Sequence, residues 1–226
     1  MLSEMPKSYP QRRFTVPPDA TEVILVRHGA SKAAVRGEPF ALVGGHADPP
    51  LAPEGVEQAR LVGARLRHDR IDRLFVTPLQ RTRDTAAPLA SHTGLEPESV
   101  EDLREVYLGK WEHGEFRIRM AERDPIAMRA MAEERWDAIP GAEDPDAFSA
   151  RVRRGLRHVI ERTGPGRVAV AVLHGGVIGE ICRQATGSRP FAFIHAENSS
   201  VSRLVAYASG HLLLRSFNDA THLDAG

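Results

Sequence analysis

Short runs of consecutive aliphatic and β-branched residues stand out from a chain that is otherwise mixed in polarity. Glu22-Val23-Ile24-Leu25-Val26, Ile71 to Val76 and Val168 to Leu173 each predict a strand, because continuous apolar runs of this length suit strands buried on both faces. Val201–Tyr207 and His211–Phe217, joined around Ser209-Gly210, predict a terminal hairpin. Between these runs the apolar spacing changes to the helical period. Pro53 to His68 predicts a helix opened by proline, with Val56, Ala59, Leu66 and either Val62 or Gly63 on its apolar face. A second helix is predicted from Leu79 toward Ser91, bent or ended at Pro88. Residues 115–135, rich in Met, Ala, Glu and Arg, favour helix with a restart at Pro125. After the turn residues 140–145, Phe148, Val152, Leu156, Val159 and Ile160 mark the apolar face of another helix, ended by Gly164-Pro165-Gly166. Arg151, Arg153, Arg154 and Arg157 fall elsewhere on it and read as a solvated face, against the alternative of an anion-binding patch. A last helix is predicted from Val177 to Ala185.

Strands alternating with helices predict an α/β fold of three layers, a mainly parallel central sheet with helices on both faces. Residues 1–20, with Pro10, Pro17 and Pro18, read as an N-terminal arm; residues 21–220 as a single domain; residues 221–226 as a C-terminal tail. The aperiodic stretch 30–52 is a long loop of the kind that is often functional. A chain of 226 residues, 42% hydrophobic, can bury its core without staples. Its 30 basic and 30 acidic residues cancel, so no global field recruits nucleic acid or an acidic membrane. The single cysteine, Cys182, excludes a disulfide framework and any multi-cysteine metal site. The stretch MLSEMPKSYPQRRF lacks the apolar core of a signal peptide, and no apolar run approaches the ~20 residues of a membrane span. The expectation is a cytoplasmic protein with no membrane or nucleic-acid partner.

The chemistry concentrates where the strands stop. Two of them end alike, in Arg27-His28-Gly29 and in His174-Gly175-Gly176. Functional groups of an open parallel sheet collect at the carboxyl ends of its strands, so two such histidines can face each other across one crevice. The glycine after each, Gly29 and Gly175, lets the backbone come close to a ligand. A third strand ends at Thr77-Pro78 and leads into Arg81. Arg27 and Arg81 thus supply two guanidinium forks suited to phosphate oxygens. No HExxH, Walker or GxSxG pattern is present, and no trusted metal-ligand spacing. What remains is an anion pocket with a histidine nucleophile, that is, phosphoryl transfer through phosphohistidine.

At this point the sequence resembles a family. Arg27-His28-Gly29 after an early strand is similar to the signature of the histidine phosphatase superfamily, the phosphoglycerate mutase-like proteins. Further blocks follow in family order. Gly45-His46-Ala47-Asp48-Pro49-Pro50-Leu51 resembles GHxDxPL, and Thr77 through Ala86 resembles S-x-x-x-R-[TA]-x-x-T-A. Leu103-Arg104-Glu105 with Gly109-Lys110-Trp111-Glu112, Pro140-Gly141-Ala142-Glu143, His174-Gly175-Gly176 and Asn198-Ser199-Ser200 complete the set. The resemblance implies a phosphoglycerate mutase-like fold and a metal-independent phosphomonoesterase without a cofactor, acting on a small phosphorylated metabolite.

It also implies roles. His28 is the nucleophile, kept neutral by nearby Arg27 and Arg81. Arg27, Arg81 and His174 clamp the equatorial oxygens. Glu105 protonates the leaving alcohol and then activates water, which implies an acidic to near-neutral optimum. Glu101, Asp102 and Glu112 are neighbouring alternatives for that acid. Gly175, Ser31 and Asn198 join as phosphate or substrate contacts, and Ser31 reads equally well as a plain loop residue. Lys32, Arg36 and His46 could touch the substrate, while Trp111 either lines the mouth or fills core, with core favoured. Three departures put substrate identity in doubt: Ala34 replaces a usual asparagine, loop 35–45 is long, and His113 stands where glycine is usual. The alternatives are a phosphoglycerate mutase-type transfer, faintly echoed in Glu105-Val106-Tyr107-Leu108-Gly109, and a non-catalytic phosphoryl-binding module. A homodimer follows by analogy with the family alone.

Overall fold

The computed structural model describes residues 8–224. In chain order the elements are β1 (Thr21–Arg27), the small hairpin β2 (Leu42–Val43) and β3 (His46–Ala47), α1 (Pro53–Leu66), β4 (Arg73–Val76), α2 (Gln80–Thr93) and β5 (Glu98–Ser99). Then come α3 (Glu115–Ala121), α4 (Pro125–Ala132), α5 (Pro145–Thr163), β6 (Val168–Leu173), α6 (Gly175–Thr186) and the closing hairpin β7 (Val201–Ala206) and β8 (Leu212–Asp219). Six strands form one sheet in the order β5-β4-β6-β1-β7-β8. The first four are mutually parallel, and β7 and β8 add an antiparallel edge.

The apolar runs explain the layers. Successive side chains of a strand point to opposite faces, so Val23, Leu25, Phe75, Ala169, Ala171 and Leu173 meet the apolar sides of α5 and α6. Ile24, Val26, Leu74, Val76, Val170 and Val172 face the other way, onto Val62, Leu66, Ala86 and Leu89 of α1 and α2. Each fully buried aliphatic side chain contributes about 1.5–3 kcal/mol relative to exposure. The two faces together therefore hold the sheet edges in fixed register.

A third, smaller apolar cluster sits away from the sheet. Trp111, Ala127, Ala130, Ala138 and Ile139 are buried together, with Phe116, Met120, Met131 and Trp136 packed around them. It is the core of the segment that carries α3 and α4. Asp124 starts α4 by accepting the N–H groups of Ile126 and Ala127, and Asp144 starts α5 by accepting those of Asp146 and Ala147. A proline follows each cap at the first helical position, where its missing N–H is not needed.

Several elements differ from expectation. α2 passes through Pro88 unbroken to Thr93, with Gly63 of α1 packed against Pro88 and Leu89. Val56 is 58% exposed, and Gly55 takes the inward position because it meets the backbone of Gly29 and Ala30. α6 begins at Gly175, two residues early, with His174 as its N-cap. The two-residue β5 was too short to register as an apolar run. Residues 221–223 form a helical turn instead of a loose tail, docked where His222 Nε2 meets the Ser199 carbonyl at 3.1 Å. Of the N-terminal arm, residues 1–7 lie outside the described residues. Phe14 lies under the Arg215 guanidinium at 3.8 Å.

Candidate active site

The parallel pairing of β1 with β6 sets Arg27 opposite Leu173, so the next residues, His28 and His174, emerge side by side. The His28 N–H donates to the Leu173 carbonyl at 2.9 Å, and the two imidazole rings lie 5.3 Å apart at 62°. Both histidines are buried. His28 Nδ1 is 2.7 Å from the Gly29 carbonyl. Only the N–H form can make that contact, which leaves the lone pair on Nε2. Burial first, and then the charges of Arg81 and Arg27, hold the imidazolium of His28 well below the ordinary histidine range. His174 is depressed likewise, by burial and then by Arg81. Desolvation, more than the two arginines, thus disfavours the charged form of His28.

Arg81 reaches His28 from the first turn of α2. Its Nε lies 3.3 Å from His28 Nε2, and its Nη1 donates to the Ala47 carbonyl at 2.9 Å. Burial pushes its pKa down to about 10, opposed by Glu105 and Asp48. Asp48 lies 3.8 Å from Arg81 and accepts the Gln80 N–H at 2.8 Å, tying the loop before α1 to the start of α2. The threonines of this segment are all engaged. Thr77 Oγ1 meets His174 Nε2 at 2.9 Å, Thr82 Oγ1 accepts the Thr77 N–H, and Thr85 Oγ1 accepts the Gly29 N–H at 2.9 Å. Arg27 donates from Nη1 to the Ala196 carbonyl at 2.5 Å. Gly175 packs against it: a Cβ there would come within 3.4 Å of Arg27 Nε.

Four acidic residues competed for one position, and the geometry separates them. Glu101 pairs with Arg104 and Asp102 with Arg154, both facing solvent. Glu112 is buried and accepts two backbone N–H groups, from Ala47 at 2.6 Å and Leu108 at 2.9 Å. Glu105 faces the same cavity as His28, Arg27 and Arg81. Its oxygens accept the N–H groups of Val106 at 2.9 Å and Gly176 at 3.2 Å. A Cβ on residue 176 would lie 2.6 Å from the Glu105 carboxylate, so a side chain there would push the carboxylate out of its present place.

These groups line a cavity of about 260 Å³ whose remaining wall is Phe40, Val106, Leu108, Trp111, Phe116 and Trp136. His46 also lines it, stacked edge-on with Tyr107. Trp111 both fills core and faces the cavity. Two predicted contacts are engaged elsewhere. The Ser31 hydroxyl accepts from Arg117 Nη2 at 2.7 Å, and Asn198 Nδ2 donates to the His28 carbonyl at 2.9 Å, on the backbone side of the nucleophile candidate. Neither lines the cavity around His28. Among the described residues no group of three or more His, Cys, Asp or Glu is placed to hold a metal ion.

The sequence reading missed Arg117, Gly176 and Arg151. Arg117 lines the cavity from α3, a helix that carries no motif. Gly176 was read only as part of the His174-Gly175-Gly176 block, with no role of its own. Arg151 belongs to neither a solvated face nor an anion patch: its side chain is 14% exposed, against the exposed Arg153, Arg154 and Arg157. Its place three residues after Phe148 and next to Val152 was the available signal, since that edge of the helix borders the core.

Residues 23–220 match the histidine phosphatase superfamily (branch 1). The chain is 34% identical over 155 residues to an adenosylcobalamin/alpha-ribazole phosphatase of Salmonella typhimurium, a match covering 68% of this chain and 74% of that protein. It is 30% identical over 212 residues to a probable phosphoglycerate mutase of Photorhabdus laumondii, covering 90% and 95%. The fold is similar to the crystal structure of phosphoglycerate mutase from Bacillus anthracis, with a TM-score of 0.75 at 22% identity over 92% of this chain and 96% of that one.

Proposed function

The chain belongs to the histidine phosphatase superfamily and is an enzyme of that family, and from this premise we propose that it hydrolyses a small phosphomonoester by way of a phosphohistidine on His28, without a metal or other cofactor. The observation that carries the reading is the lone pair of His28 Nε2, oriented by the Nδ1 contact to Gly29, accepting only a long hydrogen bond from Arg81 Nε, and set among Arg27, Arg81 and His174 opposite Glu105. Nε2 attacks phosphorus in line, and the phosphorus–oxygen bond to the alcohol breaks. Charge spreading over the three equatorial oxygens is met by the guanidinium groups of Arg27 and Arg81 and by His174. Arg27 Nε and His174 Nδ1 are buried with no partner among the described residues, so their hydrogen-bonding capacity suits a ligand's oxygens. Glu105 delivers a proton to the departing alkoxide, then takes one from the water that cleaves the phosphohistidine.

A mutase reading is favoured by one observation, the similarity to the probable phosphoglycerate mutase along nearly its whole length. It differs only in the acceptor, a second hydroxyl in place of water. The test is phosphate release from a panel of phosphomonoesters in EDTA, with the wild type beside His28→Ala. Release that survives chelation and disappears in the variant supports the phosphatase. Isomerised monoester without free phosphate favours the mutase. Stoichiometric binding with no turnover leaves a phosphoryl-binding module.

A further inference from the structure

The cavity around His28 continues past Glu105 into a second lobe of about 520 Å³, which shares Arg27, Glu105, Phe116 and Trp136 with the first. A proton delivered by Glu105 requires the departing oxygen to lie beside its carboxylate, so the alcohol part of the ester extends toward this lobe. The wall there is Phe116, Met120, Met131, Trp136 and Ile194. All five are half-buried, each leaving apolar surface uncovered. Large apolar side chains gathered on one concave wall mark a binding surface, and paired methionines give it an adaptable shape. Most polar side chains nearby are engaged, Asn198 with the His28 carbonyl, Gln58 with the Ala30 N–H and Glu54, and Glu197 with Asn218, while His195 is exposed to solvent. Hydroxyls laid against this wall would lose water without gaining a partner.

Resting on the phosphatase reading, we infer that the preferred substrate is the phosphate ester of an alcohol with an apolar body at least one ring in size, and that polyhydroxylated esters are poor substrates. Three esters test it through kcat/KM: cyclohexylmethyl phosphate, glucose 6-phosphate, which has a ring of similar size with hydroxyls, and ethyl phosphate, which has no ring. Burial of the cyclohexyl group predicts about tenfold to a hundredfold preference over ethyl phosphate, with glucose 6-phosphate at or below ethyl phosphate. Met120→Gln and Met131→Gln are each expected to bring the cyclohexylmethyl-to-ethyl ratio toward one, a ratio that does not depend on the folded fraction. Glucose 6-phosphate equal to or better than cyclohexylmethyl phosphate overturns the inference and leaves the phosphatase standing. So does a ratio untouched by both substitutions. Absence of turnover on all three and on p-nitrophenyl phosphate removes the underlying reading, and this inference with it.

A separate set of contacts concerns the acid. Arg151 uses every guanidinium nitrogen. Nε and Nη2 donate to the two oxygens of Glu143 at 2.6 and 2.8 Å. Nη1 donates to the carbonyls of Asp102 and Arg104 at 2.9 and 2.6 Å, and Nη2 to that of Glu105 at 2.8 Å. Glu143 in turn accepts the Tyr107 N–H at 3.2 Å. One buried fork therefore grips the backbone on both sides of Glu105, along a segment with little regular structure of its own.

We propose that Arg151 is a positioning residue that sets Glu105 for proton transfer. Arg151→Lys retains the charge and loses the fork. The readout is kcat/KM, which covers steps up to the phosphohistidine, for ethyl phosphate and for p-nitrophenyl phosphate, whose leaving group departs without a proton. The variant is expected to lose about tenfold or more on the alkyl ester relative to the aryl ester, whereas general destabilisation lowers both alike. An unchanged ratio in Arg151→Lys, with a fall in Glu105→Gln, overturns the positioning role. An unchanged ratio in both variants overturns the assignment of Glu105, and the proposal with it.

Discussion

The sheet edge and the segment carrying α3 and α4 face each other across one cavity, and they are held in place by different forces. At the sheet edge the proposed nucleophile and its neighbours are continuations of β1 and β6 or sit in the first turns of α2 and α6. Their backbones are fixed by strand pairing and by contacts such as the Gly29 N–H to Thr85. The opposite wall rests on its own small cluster around Trp111 and Ile139. It reaches the loop before α1 chiefly through side chains: Arg117 to Ser31 and Lys32, His113 to Phe40, Glu112 to Ala47. On the proposed reading the nucleophile and the phosphate clamp sit where the fold permits little adjustment, and the alcohol of the substrate would meet a wall that can change shape without disturbing the sheet.

The largest effect that would sharpen this contrast is His28→Ala, expected to lower kcat by at least about 10⁴-fold while leaving thermal unfolding nearly unchanged. Arg81→Ala should lower kcat by about 10²- to 10³-fold, the usual loss for one preorganised donor. Steady-state kinetics on any accepted ester checks both, and a loss under tenfold for either would break the division of labour. Stability gives the next comparison. Leu173→Ala, beneath His174 in the buried face of β6, is expected to cost about 2–5 kcal/mol, and Arg117→Ala no more than about 0.5 kcal/mol. Urea unfolding measures both, and similar costs would mean that the segment carrying α3 and α4 bears as much of the fold as the sheet.

The smallest effect is pH-linked and is centred on the sheet edge. His28 and His174 are held below the ordinary histidine range by burial and by Arg81. As pH falls through about 6.5 the unfolded chain takes up protons that the folded protein refuses. Stability contributed by these residues is therefore fully present above that pH and declines as pH drops toward the folded values. Urea titrations at pH 7.5 and 5.5 should show the decline, and His174→Gln should reduce it. Equal slopes in variant and wild type would place the pH dependence elsewhere.

The five longer strands, and the residues where the first three of them end, were legible because buried strands are written as uninterrupted apolar runs. His28, His174, Arg27 and Arg81 followed from position alone. What the sequence hid was long-range partnership. Helical position put Arg151 at the border of the core, but nothing local tells which backbone it would grip, or that Gly176 lies against Glu105 across 71 positions of chain. Val56 looked apolar enough for the core, yet Gly55 holds the inner place because backbone there must touch backbone. His113, in the left-handed region at φ 62°, shows the converse: its contact with the Phe40 carbonyl at 2.7 Å offsets a conformation that glycine would adopt more easily.

That backbone contact also decides how freely the long loop can vary. A Cβ on Gly29 would fall 2.5 Å from the Gly55 carbonyl oxygen, and just inside it Ala52 donates to Ala30 and Lys32 to Pro50. The loop is pinched shut at its neck, and its far end is tied down again where Ala47 and Asp48 meet Arg81 and Gln80. Closing a longer loop across a fixed neck costs only about 0.6 kcal/mol per doubling of length. The stretch between, residues 33–45, is therefore the part expected to tolerate exchange for one of another length or composition, provided Gly29 and Gly55 are kept.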